Sequence, residues 1–254
     1  SGADILGGWL EDLERGAPPE RLALASPFEA FDLRPGRVVL LGGMPGSGKS
    51  ALLLQVCVEL LRLNTTTKVL FANVEMAPSL LLERVVSRLG GVDLRKIANR
   101  DLDNQERDRV KVAVEAFRPL ADRVAFLGPP YTLEHVASAA TELKADVLAL
   151  DYIQRFKIGT KEKPQREQLD DAADAVRRLA DVGAVVLVAS AVARQKGAGG
   201  STYRGLNLAS FRGSSELEYG CDAAYLLSSQ DGVVMINCEK NRYGPVEGLT
   251  VRLR

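Results

Sequence analysis

The sequence has one histidine, His135, and three cysteines among 254 residues. A lone histidine argues against a histidine-based metal centre and against a Ser-His-Asp triad. Cys57, Cys221 and Cys238 are odd in number and far apart, and each sits in an apolar run. That pattern fits buried, reduced thiols of a cytoplasmic protein and not a disulfide framework. Neither sign of charge is in surplus, with Lys plus Arg and Asp plus Glu at 33 each. The whole-chain charge therefore points to neither nucleic acid nor membrane, and any basic site has to be local. No apolar run approaches a membrane span, no charged-then-apolar segment opens the chain, and repeats and long linkers are absent. The chain begins Ser1-Gly2-Ala3 without Met, which implies trimming and leaves room for flanking domains.

What is present suffices for one large domain, since 46% hydrophobic composition can fill a sizeable core. Short apolar runs alternate with helical patterns: RVVLLGG (37–43), the apolar SALLLQVCVELL (50–61), KVLFANVE (68–75), the Pro-started PSLLLERVVSRL (78–89) and a charged helical region 103–120. There follow RVAFLG (123–128), TLEHVASAATEL (132–143), DVLALDY (146–152), the amphipathic 166–182 and VVLVAS (185–190). Alternation of this kind predicts a mostly parallel, twisted α/β sheet with helices on both faces. The end differs, because AAYLL, VVMINCEK and LTVRL are separated by short turns and predict an antiparallel extension. Residues 1–30 are expected to form an N-terminal helical arm or linker whose WLEDLERG segment packs elsewhere, and 31–254 the main domain.

GMPGSGKS, from Gly43 through Met44, Pro45, Gly46, Ser47, Gly48 and Lys49 to Ser50, satisfies G-x-x-x-x-G-K-[ST] directly after a strand and opening a helix at Ala51. Its backbone N–H groups and the helix N-terminus suit phosphate oxygens, Lys49 suits the outer phosphates, and Ser50 suits Mg²⁺. Asp151, after four apolar residues of another strand, is the expected second metal-site acid. Glu75, at the tip of KVLFANVE and on the same carboxyl edge of the sheet, is the expected water-activating group. These assignments predict a nucleotide and Mg²⁺ as cofactors, the nucleotide being ATP by the family resemblance given below.

Two loops after strand tips carry local positive charge. Residues 155–166 hold five Lys or Arg against one Glu, and 194–212 hold Arg194, Lys196, Arg204 and Arg212 with no acid. Such loops suit a phosphodiester backbone, and the second, rich in Gly and Ser, is expected to be mobile. Tyr203 and Phe211 offer rings for base stacking, although packing is the commoner use of an isolated loop aromatic. Lys240 and Arg242 are two apart at a strand end, so they project together, either as a surface pair or as cations acting on a neighbour's site.

Taken in order, GGMPGSGKS, NVEM, LDYIQ, VVLVAS, SFRGSSELEYGCDAAYLL and EKNRYGP resemble the motor domain of the DnaB-type replicative DNA helicases, from about Phe28 to the end. The resemblance implies a RecA-like P-loop NTPase fold and an ATP-hydrolysing DNA helicase that works as a ring, typically a hexamer. It also implies that Lys240 and Arg242 reach the next subunit's site, and that Arg212, Gly213 and Ser215 follow single-stranded DNA through a central channel. A primase or a helicase loader is the further partner expected, and no membrane. Two departures stand out. Only about thirty residues precede the motor where the family carries a collar and a linker helix, and Ala191 stands where the family commonly has a γ-phosphate-sensing Gln. A RecA- or RadA-like recombinase and a nucleotide-dependent DNA-binding assembly module with weak ATPase are the alternative readings.

Overall fold

The computed structural model describes residues 2–16, 20–159, 164–192, 195–197, 200–202, 208–211, 215–230, 233–246 and 248–251. After helix α1 (Gly2–Glu14), β1 (Val38–Gly43) leads into α2 (Lys49–Leu63), and β2 (Val69–Asn73) into α3 (Pro78–Gly90), α4 (Leu94–Asn99) and α5 (Asn104–Ala121). Next come β3 (Val124–Leu127), α6 (Leu133–Leu143), β4 (Val147–Asp151), α7 (Gln165–Asp181) and β5 (Val185–Ala191). The chain continues through a ribbon of β6 (Gln195–Gly197) and β7 (Gly200–Thr202), then α8 (Ser215–Gly220), β8 (Ala223–Gln230), β9 (Val233–Asn241) and β10 (Gly248–Val251).

One eight-stranded sheet has the order β10-β9-β8-β1-β5-β4-β2-β3. Its six strands from β8 to β3 are mutually parallel, and β9 and β10 are antiparallel additions. The expected extension thus begins one strand later than the turns suggested: AAYLL pairs in parallel with β1. Side chains on alternate strand positions enter opposite layers. Val39, Leu41, Val69, Phe71, Leu187 and Ala189 pack with α2 and α3, whereas Leu40, Leu70, Leu148, Leu150, Val186 and Val188 pack with α6 and α7. Strands covered on both faces need apolar residues at every position, which is why these runs do not alternate in polarity.

Local chemistry sets the helix ends. Asp103 caps α5 in a reciprocal box with Glu106, Thr132 caps α6, and α3 starts at Pro78 and ends on left-handed Gly91. Within the N-terminal arm, Leu22 and Phe28 are buried in the main core beside Phe31. Helix α1 contrasts with them: Ile5, Leu6, Trp9, Leu10 and Leu13 share one face and are all exposed. Among the described residues no helix is long and apolar enough to cross a membrane.

Candidate active site

The parallel strands bring the carboxyl ends of β1, β2, β4 and β5 to one edge of the sheet, where an open α/β sheet accepts its ligands. The turn from β1 into α2 is made possible by Gly46 at φ 78° and Gly48 at φ 91°, backbone that other residues rarely adopt. Gly43 has a packing reason as well, since a Cβ there would lie 2.5 Å from Ser47 Oγ and 3.0 Å from the Leu227 carbonyl oxygen. Lys49 Nζ donates to the carbonyls of Gly43 and Met44, each at 2.8 Å. Ser47 Oγ is buried with no hydrogen-bond partner among the described residues. Such an orphaned donor in a glycine-rich loop at a helix N-terminus fits an anionic ligand. Burial pushes the Lys49 pKa down, and the charges of Asp151 and Glu75 oppose that shift.

Asp151 ends β4, is buried, and lies beside the Ser50 side chain. Burial raises its pKa, with the Glu75 charge adding to the rise, while Ser50, Lys49 and Asn73 favour the carboxylate. The two residues that the sequence assigns to Mg²⁺, Ser50 and Asp151, are thus neighbours. Among the described residues no group of three or more His, Cys, Asp or Glu could hold a metal ion. Two protein oxygens completed by phosphate and water suit Mg²⁺, which keeps part of its hydration shell. Glu75 lies beyond the strand, because β2 ends at Asn73 and the chain turns there. It is exposed at the same edge, close enough to act electrostatically on both Lys49 and Asp151. Sequence motifs did not single out Asn73, whose carboxamide bonds to Asp151 and to the backbone of Glu75 and Met76.

The tip of β5 abuts the phosphate loop, with Ala191 opposite Gly43. Ser190 is buried, and Gln154 of the LDYIQ segment clamps the tip. Its Nε2 donates to Ser190 Oγ at 2.7 Å and its Oε1 accepts from the Ala191 N–H at 3.1 Å. Phe211 is buried against Gly42, where a Cβ would meet Phe211 Cε1 at 2.5 Å, and Phe211 bridges to Val192. Its ring therefore packs and is not presented to a ligand. Within the second basic loop, 195–197 and 200–202 pair as an antiparallel ribbon. The expected DNA contacts Arg194, Arg204, Arg212 and Gly213, and the aromatic Tyr203, lie outside the described residues. Lys196 and Ser215 are described by backbone alone, on β6 and at the start of α8.

Lys240 and Arg242 do project together, as the two-residue spacing predicts, and they converge on the C-terminal end of α8. Lys240 Nζ donates to the carbonyls of Glu218 and Tyr219 at 2.6 and 3.3 Å. Arg242 donates to Asp222 Oδ1 at 2.9 Å and to the Tyr219 carbonyl at 3.2 Å. Asp222 is buried and also accepts from Arg177 and from the Val38 N–H. All of this lies at the amino edge of the sheet. Gly43 is level with Leu227 and hence with Ile236, and Asn241 is five residues further along β9, roughly 15 Å away.

Strand, glycine loop and helix, with a buried carboxylate ending a neighbouring parallel strand, make this an α/β domain of the P-loop nucleotide-binding class. Residues 29–254 match the model of the DnaB-like helicase C-terminal domain, and the chain belongs to that family. It is 26% identical over 222 residues to a probable plasmid replicative DNA helicase of Chlamydia trachomatis, covering 84% of this chain and 48% of that protein. A protein of the same description from Chlamydia muridarum is 24% identical over 221 residues, with 83% and 47% covered. The chain thus spans about half the length of these curated relatives. A solved ATPase domain superposes with TM-score 0.84 at 19% identity, covering 100% of this chain and 95% of its own. A DnaB-like replicative helicase, described with its interactions with primase, gives TM-score 0.80 at 18% identity, covering 97% of this chain and 63% of its own. The mostly parallel, RecA-like α/β fold expected from the sequence is the fold observed.

Proposed function

We propose that this chain is the motor of a ring-forming replicative helicase, which hydrolyses ATP between subunits to translocate along single-stranded DNA and unwind duplex. The observation that carries this reading is the division of the hydrolytic groups between two edges of one sheet. The phosphate loop, Asp151 and Glu75 lie at the carboxyl edge, and Lys240 and Arg242 at the amino edge, beyond the reach of their own phosphate loop. Cations in that position are out of reach of their own nucleotide and suit another copy's, and such a contribution is worth about 10³ to 10⁵ in rate where an arginine finger operates.

In this reading the loop from Gly43 to Ala51 wraps the phosphates through its backbone N–H groups, Pro45 having none, and Lys49 moves from the Gly43 and Met44 carbonyls to the outer phosphate oxygens. Ser50 and Asp151 would hold Mg²⁺, which would supply charge neutralisation at the phosphates. Glu75 takes a proton from the attacking water. The basic loops, with Arg194, Lys196, Arg204, Arg212, Gly213 and Ser215, follow the DNA backbone. The exposed apolar face of α1 supports assembly, since Ile5, Leu6, Trp9, Leu10 and Leu13 have no core of their own to enter. A hexameric ring is the assembly proposed, with a primase or loader as further partner and the cytoplasm as its location. The test is steady-state ATPase with and without single-stranded DNA across a salt series. Turnover should rise with DNA, and DNA affinity should fall with salt at a log–log slope of about −0.7 per phosphate contacted. Absent or salt-insensitive DNA binding would sink the helicase reading.

A further inference from the structure

Asn73 is the last residue of β2 and is 1% exposed. Both ends of its carboxamide are engaged. Nδ2 donates to Asp151 Oδ2 at 2.5 Å, while Oδ1 accepts from the backbone N–H of Glu75 at 2.8 Å and of Met76 at 2.7 Å. These partners settle which end is oxygen, because N–H groups need an acceptor and a carboxylate needs a donor. The sheet register makes the arrangement possible: Asn73 faces Asp151 across β2 and β4, and the ladder runs one step further, from the Val74 N–H to the Asp151 carbonyl at 3.0 Å. One buried side chain therefore ties the carboxylate expected at the metal to the turn that carries the carboxylate expected at the water. The chemistry selects a carboxamide. Aspartate could accept from the turn but not donate to Asp151, leucine could do neither, and serine could cap the turn without reaching the carboxylate.

We infer that Asn73 is the positioning residue of this hydrolytic site: it holds Asp151 in the orientation that takes the metal and sets the turn from which Glu75 addresses water. The inference rests on the ATPase reading above. Asn73 touches no reacting atom, so its loss acts through its two partners. Outer partners of metal-ligating groups are typically worth about 10–100-fold in metal affinity or activity.

Two measurements on the 254-residue chain test it. One is the affinity for fluorescent ADP with and without Mg²⁺, and the other is kcat and KM for ATP. Asn73→Ala should cut the Mg²⁺ enhancement of nucleotide affinity about 10-fold and kcat about 10–100-fold, leaving metal-free affinity unchanged. Asn73→Ser, which keeps an acceptor for the turn, should recover part of kcat but none of the Mg²⁺ enhancement, and it carries the test if the alanine variant fails to fold. A folded variant with lowered Tm but wild-type kcat and Mg²⁺ enhancement would reduce Asn73 to a structural residue and overturn the inference. A fall in kcat alone would overturn the metal half and keep the Glu75 half; a fall in Mg²⁺ enhancement alone would do the reverse. Wild-type protein that binds Mg²⁺ and nucleotide without turnover would defeat the motor reading, and the Mg²⁺ enhancement would then decide for Asn73. Wild-type affinity indifferent to Mg²⁺ would overturn the roles of both Asn73 and Asp151.

Discussion

Burial disfavours the charged forms of both Lys49 and Asp151; the charges of Asp151 and Glu75 oppose that shift at Lys49, and Ser50, Lys49 and Asn73 oppose it at Asp151, where the Glu75 charge adds to it. Glu75 sits outside that dry cluster, exposed just past the strand, where it can meet water. Its substitution is therefore expected to remove turnover without removing nucleotide. Glu75→Gln should lower kcat by about 10²–10⁴-fold with ATP affinity within a few-fold of wild type, read by steady-state kinetics and equilibrium binding. Unchanged turnover would take Glu75 out of the mechanism. The three cysteines support a second prediction at this scale. All are buried, and burial pushes the Cys221 thiol up to about 11. At pH 8 only roughly one Cys221 in a thousand would be thiolate. Native protein should resist iodoacetamide at pH 8 and take up three equivalents in denaturant, counted by mass. Rapid native labelling would contradict the packing.

Elements meet tightly beneath the phosphate loop. Gly42 leaves room for Phe211 and Leu226, to which an added Cβ would approach within 2.5 and 2.7 Å. The end of the second basic loop is thus wedged against the strand that launches the nucleotide loop, while Gln154 clamps the loop's start at Ser190 and Ala191. Gly42→Ala should destabilise by about 1–3 kcal/mol in denaturant unfolding, because the neighbours are flexible side-chain ends that must leave their rotamers. Adding Phe211→Leu should restore part of the loss, the signature of two residues sharing one space. Additive destabilisation would mean that the strain is relieved elsewhere. The unbroken apolar runs of β1 and β5 made both strands legible, whereas Gly42 read only as a residue of its strand and Phe211 as a loop aromatic. Their contact joins residues far apart in the chain, and no local pattern encodes it.

At the scale of the whole molecule, the amino edge holds Arg242 on Asp222, and Asp222 also receives Arg177 and the Val38 N–H. Arg242 is held about half exposed, at 46%, facing away from its own phosphate loop. Proteins carrying Arg242→Ala and proteins carrying Lys49→Ala should each be inactive alone and regain partial ATPase when mixed, since some interfaces then pair an intact phosphate loop with an intact cation. The assay is ATPase against mixing ratio, with native mass to verify mixed oligomers. Stable mixed oligomers without recovered activity would count against action between subunits.

The order and type of the main elements, the phosphate loop and the placing of Glu75 and Asp151 at the carboxyl edge were determined by the sequence alone. The physical reason is that each depends on interactions between near neighbours: apolar periodicity, glycine conformations, helix capping and residues at strand ends. Asn73, Gln154, Phe211 and Asp222 were decided by tertiary structure. Each is ordinary in its local context and acquires its part from a strand or helix that the sheet brings beside it, as Asn73 does from Asp151 through the parallel register of β2 with β4. The same holds for the direction in which Lys240 and Arg242 face. Their spacing put them on one side of a strand, and only the antiparallel course of β9 carried them to the edge opposite the phosphate loop.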